Sequence, residues 1–320
     1  MNRRTAAWLA WSLCGVCVAL IALALPLDFL TDDAPLPPGA RLGLGFAVLT
    51  GVLSLAYPMV GALIASSLPT NPIGWLFCGM GVLYGARRFT GAYADYALLE
   101  NLAFPGGEFM AWFTMCIRFA SLTLGVFLIL LFPDGRLPSR RWRLVAWATI
   151  FGAALVTLGF AFMPEYLFLT HPYVENPFEI VGVIGGGFTT YELFGVSRFI
   201  GMMLLLASTL AALISPILRL HRTRGNERQQ IKWFLFAAVP LTVFLGLIEL
   251  NLLISILTHD FMFQTVEILQ SWQVLTPALI ADALASLVVP IFTYIAILKY
   301  RLYDIDVVVN RTLVHLQNRL

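Results

Sequence analysis

The sequence predicts an all-α fold: a polytopic membrane helix bundle of about eight transmembrane helices, with both termini cytoplasmic. Three observations lead there. Hydrophobic residues make up 59% of the 320 positions and charged residues only 12%, where a soluble domain carries about 25% charged. Apolar runs of about 20 residues, enough to cross about 30 Å of hydrocarbon, recur along the chain. The runs are continuous rather than alternating, which fits helices and not the strands of a membrane barrel.

The segments fall near 6–27, 42–67, 74–98, 108–132, 144–163, 196–218, 234–257 and 275–298. The first follows Arg3 and Arg4, and Ala22-Leu23-Ala24 resembles a signal-peptidase site. Its apolar core exceeds the usual 7–15 residues of a cleaved signal, so an uncleaved anchor is expected. Inner connections are punctuated by Pro, Gly and Asn, with Trp75, Trp142 and Trp233 where the next helix meets the headgroups. The longest outer connection, from Pro164 to about Gly195, holds Tyr166, Phe168, His171, Tyr173 and Phe178. Its aromatic content argues against full disorder, and two readings are open: a segment partly in the membrane interface, or a folded spacer. Residues 1–298 read as one transmembrane domain and 299–320 as a cytoplasmic amphipathic tail, in which Leu302, Ile305, Val308 and Val309 recur at helical spacing.

Charge sets the orientation. Arg3, Arg4, Arg136, Arg140, Arg141, Arg143, Arg219, Arg222, Arg224, Arg228, Lys232, Lys299, Arg301, Arg311 and Arg319, fifteen of the twenty cations, fall on one side. Asp28, Asp32, Asp33, Glu100, Glu165, Glu175, Glu179, Asp260 and Glu267 fall on the other. The basic side is cytoplasmic by the positive-inside rule. Anionic headgroups account for it without nucleic acid. Cys14 and Cys17 have redox-motif spacing but sit in an apolar span without a neighbouring cation, so they read as small packing residues, as do Cys78 and Cys116.

Ionisable residues interrupt the spans: Arg87, Arg88 and Asp95 in the third, Arg118 in the fourth, Arg198 in the sixth, Glu249 in the seventh and Asp282 in the eighth. Such residues normally face the bundle interior, paired or hydrated. Helical rise puts Arg87, Arg88, Arg118, Glu249 and Asp282 in the middle or outer half of the bilayer. Arg88 and Asp95 are seven apart and share a face with Tyr84 and Gly91. Two readings follow. One is an outward-open polar cavity for a small ligand or peptide; the other is a set of interhelical ion pairs, such as Arg118 with Glu249 or Asp282, that fixes packing.

Catalytic chemistry finds little purchase. His171, His221, His259 and His315 show no metal-ligand spacing, and there is no nucleophile elbow and no phosphate loop. No cofactor, metal or catalytic residue is expected.

Four segments, Asn71-Pro-Ile-Gly-Trp75, Leu131-Phe-Pro-Asp-Gly-Arg-Leu-Pro-Ser-Arg-Arg-Trp142, Gly225-Asn-Glu-Arg-Gln-Gln-Ile-Lys-Trp233 and the stretch from Tyr300 to Val314, occur in this order. Together they resemble the multi-span membrane input region of bacterial two-component sensor histidine kinases. The resemblance implies a sensory module of a bacterial inner membrane, passing an extracytoplasmic or intramembrane stimulus to the tail through Tyr300, Arg301, Leu302, Tyr303, Asp304, Ile305 and Asp306. It implies kinase domains beyond Val314; only His315 to Leu320 follow, so the expectation is a module truncated before the catalytic part and not itself an enzyme. Implied partners are membrane lipid, a second copy in a homodimer, a separate kinase or signalling protein, and an unidentified ligand. A small-solute transporter or channel, and a nonfunctional fragment of a longer sensor kinase gene, are the alternatives. The absence of an internal repeat and the apolar inner halves of the helices weigh against transport.

Overall fold

A computed structural model describes residues 2–32, 44–100, 104–164, 166–167, 170–186, 188–257 and 289–296. The eighth predicted span except for 289–296, Asp282 within it, and the tail from Tyr300 onward lie outside the described residues. What is described is mostly helix. Five helical stretches are long and apolar enough to cross a membrane: Arg3–Leu30, Ala47–Ser67, Gly107–Leu131, Arg140–Phe162 and Thr190–His221.

Helix α1 (Arg3–Leu30) runs straight through Pro26 and extends past the predicted end at 27. Its buried residues are Ala6, Ala10, Cys14, Cys17, Ile21, Ala24 and Asp28, a stripe repeating every three to four positions. The stripe is mostly small, so α1 lies close on its neighbours. Cys14 and Cys17 belong to it as free, buried thiols.

The single helix predicted over 42–67 is divided into α2 (Leu44–Ser54) and α3 (Ala56–Ser67). The cause is Pro58, which offers no N–H to the Ser54 carbonyl and whose ring crowds it. Around the break the ladder tightens: Leu55 N–H donates to the Val52 carbonyl at 3.2 Å, and the Ser54 hydroxyl bonds back to Gly51 at 2.7 Å.

Helix α4 (Pro72–Asp95) starts on an Asn71 cap, whose side chain accepts from Ile73 N–H at 3.0 Å, with Pro72 in the first helical position. It continues as a π-helical turn, Tyr96–Glu100. Glycines bring α3 and α4 into backbone contact: a Cβ on Gly61 would lie 2.6 Å from the Cys78 nitrogen, and one on Gly74 would lie 2.7 Å from that of Ala65. Helices α1, α3 and α5 (Gly107–Leu131) all pack on α4. The span that carries Arg87, Arg88 and Asp95 is therefore packed against three other helices.

A 3₁₀ turn, Arg140–Trp142, leads into α6 (Arg143–Phe162). Between α6 and α7 (Thr190–Arg222) the chain forms two short antiparallel hairpins, a departure from a purely helical fold. They are β1 (Tyr166–Leu167) with β2 (His171–Glu175), and β3 (Val183–Gly185) with β4 (Phe188–Thr189). Helix α7 begins six residues before the predicted start at 196. Thr189 and Glu192 form a capping box, Glu192 N–H donating to the Thr189 hydroxyl at 3.3 Å and Thr189 N–H to the Glu192 carboxylate at 2.7 Å. Helices α6 and α7 meet along Gly152, Gly159 and Gly201. Helix α8 (Asn226–Leu257) packs on α7, and residues 289–296 lay Phe292 against Trp233 and Phe236.

Besides a small cluster of Ala10, Cys14, Ala62, Ala65 and Cys78 between α1, α3 and α4, two larger buried clusters divide the bundle along its length. One, near the α3–α4, α5–α6 and α7–α8 connections, contains Tyr57, Phe77, Phe132, Ile231 and Phe234. The other, near the hairpins, contains Met115, Phe119, Phe160, Leu167, Val174 and Leu205.

Candidate functional sites at the two ends of α4

At the hairpin end the structure gathers polar groups onto α4 from two directions. Asp28, which the sequence reading placed in an outer loop, instead occupies the last turn of α1, is only 6% exposed, and forms an ion pair with Arg88. The correction has a physical cause: a guanidinium within the bundle needs a counter-charge, and extending α1 by one turn supplies it.

Two turns further along the same stripe, Asp95 accepts a hydrogen bond from the Tyr173 hydroxyl of β2. Its Oδ1 also lies 3.6 Å from His171 Nε2. Arg88 and Asp95 thus share a face, as predicted, but each is engaged by a different element. The hairpin is fixed from behind by Asn176, whose amide donates to the Ala161 and Met163 carbonyls, both at 2.9 Å, while its Oδ1 accepts from Phe178 N–H at 3.0 Å. Asn176 thus helps to satisfy the carbonyls at the end of α6, where the Trp112 indole also donates to Ala161 at 2.8 Å.

His171 is 3% exposed. Burial pushes its pKa below the ordinary 6.5, with Asp95 and the Gly91 backbone acting in the opposite sense. A neutral imidazole is favoured in the fold, so the unfolded chain binds more protons once the pH drops below about 6.5. Stability is fully present above that pH and declines below it, by at most about 1.4 kcal/mol per pH unit from this group. Thermal unfolding in detergent should show a lower midpoint at about pH 5.5 than at about pH 7.5, and His171→Asn should reduce that difference. An unchanged pH response in the variant would remove His171 as its source.

The remaining intramembrane charges are dispersed. Arg87 stands 5.9 Å from the Tyr84 ring centroid. Arg198 on α7 is buried, with its guanidinium 4.9 Å above the Phe160 ring. Glu249 on α8 is buried and accepts from the Thr209 hydroxyl at 3.0 Å. Arg118 lies partly buried on α5. Thr90 and Thr114 bridge α4 to α5 through their hydroxyls at 2.7 Å. Of the two readings, cavity or interhelical ion pairs, the described residues show one interhelical pair, Asp28 with Arg88, and a separate cluster around Asp95, both engaging α4.

The opposite end brings three of the motif segments together. The Asn71 amide donates to the Pro133 carbonyl at 3.2 Å. Gly135, at φ +70°, presses so closely on Pro72 that a Cβ there would lie 2.2 Å from the proline ring. Phe132 stacks on Phe234 with ring centroids 3.7 Å apart. From α7, Arg219 reaches Asp134 at 3.5 Å and also donates to the Arg136 carbonyl, while the Ser215 hydroxyl donates to the Leu130 carbonyl at 3.0 Å. The Trp75 indole closes its own loop by donating to the Pro69 carbonyl at 3.1 Å. Among the described residues, no cluster of His, Cys, Asp and Glu could hold a metal ion.

Asp28, His171, Tyr173 and Asn176 escaped the sequence reading as site residues. Only Asn176-Pro177 carried a local signal, a turn-forming dipeptide. No protein family, curated protein or solved structure matches this chain.

Proposed function

We propose that the chain is a membrane-embedded sensory module of a bacterial inner membrane, carrying a stimulus from an extracytoplasmic end to a cytoplasmic one, in the manner of the histidine-kinase input regions it resembles. The observation that supports this reading most is the position of α4. One end of this helix is locked into the junction of motif segments through Asn71 and Pro72. The other end is held by the hairpin through Asp95 and by α1 through Arg88. A displacement of the hairpin or of α1 bears directly on a rod whose far end touches the α5–α6 connection.

Charge supports the orientation. The motif end exposes Arg136, Arg140, Arg141, Arg143, Arg224, Arg228 and Lys232, and the hairpin end exposes Glu108, Glu175 and Glu179; the first is the cytoplasmic face in this reading. The receiver is then a kinase or other signalling partner, or a second copy of the chain, contacting the tail around Tyr300 to Asp306. The role is reception and transmission rather than catalysis.

The reading is tested with nitroxide labels at Ser139→Cys and Arg224→Cys, two exposed positions of the motif end. Their separation is measured by double electron–electron resonance in a Cys116→Ala background, with and without the Asp95→Asn or Tyr173→Phe substitution. Loosening the hairpin should redistribute the distance by roughly 1–2 Å, the scale of helix shifts in switching proteins. An identical distribution in both variants, with hydrogen exchange showing the hairpin released, overturns transmission through α4. Gradient-driven solute uptake by vesicles containing only this protein would favour a transporter instead.

A further inference from the structure

The second hairpin carries an apolar surface that neither the fold nor the proposed signalling path uses. Phe178, Ile180, Val181, Val183, Ile184 and Phe188 are all exposed, Val181 and Val183 each to 74%. From Ile180 to Phe188 the sequence has no ionisable side chain, while Glu179 and Glu192 flank it. A water-facing hairpin with this composition would be an unusually large exposed apolar patch.

We propose that the β3–β4 hairpin is a lipid-binding element, seated in the interfacial zone of the bilayer leaflet at its end of the bundle. Its occupant is phospholipid at the boundary between headgroup and acyl chain. Three features favour lipid over a protein partner.

The first is level. Ile180 N–H donates to the Phe162 carbonyl at 3.0 Å, and Gly182 exchanges hydrogen bonds with Thr190 at 3.0 and 2.9 Å. The hairpin base is therefore tied to the last residue of one candidate span and the first of another.

The second is continuity. The Phe178 ring packs 4.8 Å from Trp112 and 6.1 Å from Phe109. Phe109 stacks in turn on Phe113 at 6.0 Å, and both are exposed on α5, a helix long and apolar enough to cross the membrane. Through Phe178 the patch adjoins apolar side chains exposed on the bundle.

The third is backbone pairing. Val183 pairs with Thr189 and Gly185 with Phe188, so at the typical immersion depth of roughly 5–10 Å these strand residues meet one another rather than desolvating unpaired.

The experiment is a depth measurement. A nitroxide is placed at Val181→Cys, and separately at Val183→Cys, in a Cys116→Ala background that leaves only the three buried native thiols. The chain is reconstituted in nanodiscs of phosphatidylcholine and phosphatidylglycerol. Power saturation then compares relaxation by oxygen, which partitions into lipid, with relaxation by a water-soluble nickel chelate. A label at the exposed Arg224→Cys serves as the aqueous reference. Both hairpin labels should show an oxygen-to-nickel ratio at least about fivefold above the reference, as expected for interfacial immersion. A ratio equal to the reference overturns the proposal. Dipolar broadening that vanishes on dilution with unlabelled chain overturns it too, because the occupant would then be a second copy. If one labelled variant fails to insert, the other decides.

Discussion

Asp28→Ala should destabilise the protein by about 3–5 kcal/mol, the usual cost of leaving one member of a buried ion pair without its partner. Arg88 is partly screened, with its side chain 23% exposed, but the Asp28 side chain is only 7% exposed, and the pair joins α1 to α4 between bundle neighbours. Titration with sodium dodecyl sulfate in mixed micelles reads the loss as a lower unfolding midpoint. The double variant Asp28→Ala with Arg88→Leu should recover most of it, since removing both charges also removes the uncompensated one. If the single and double variants unfold together, the charge left on Arg88 is not the source of the loss.

Gly135→Val should be almost as damaging and for a different reason. The residue sits at φ +70° and a Cβ would meet Pro72 carbons at 2.2 Å. A left-handed conformation costs a branched residue at least about 1–2 kcal/mol, and overpacking against a fixed ring adds typically 1–3 kcal/mol. Gly186→Val provides the comparison, because Gly186 has φ +61° but nothing within 4 Å of the added carbon. Thermal unfolding should separate the two, Gly135→Val losing clearly more. Equal losses would mean that the contact with Pro72 contributes nothing beyond backbone strain.

Helix identity was legible from sequence because the bilayer imposes a length and a continuous apolarity that few other structures need. The starts and breaks were less so. Pro58 was visible, but whether it kinks or divides a span depends on packing against Gly81, where the ring sits within 2.5 Å of the place a Cβ would occupy. The early start of α7 was present in the Thr189 and Glu192 pattern and was obscured by the run of glycines before it. Among the candidate sites, sequence identified Arg88 and Asp95 as sharing a stripe, because helical spacing is local information. Their partners, Asp28, Tyr173 and His171, lie 60 and 78 residues from the groups they bond in the first two cases, and no periodicity reaches that far. The convergence of Asn71, Phe132 and Arg219 was hidden for the same reason.

Helix α4 has a consequence for biogenesis. With Arg87, Arg88 and Asp95 it is not among the stretches apolar enough to cross a membrane unaided, and a charge at the centre of a helix opposes translocon-mediated insertion by about 2.5–3.5 kcal/mol, a cost that falls on Arg87 and Arg88 more than on Asp95 at the helix end. Its counter-charge on α1 is made first and its shield on α5 is made afterwards. The order of synthesis therefore matters: α4 settles in the bilayer as part of a group with helices on either side of it in the chain, so membrane integration and tertiary assembly of this protein are one event rather than two.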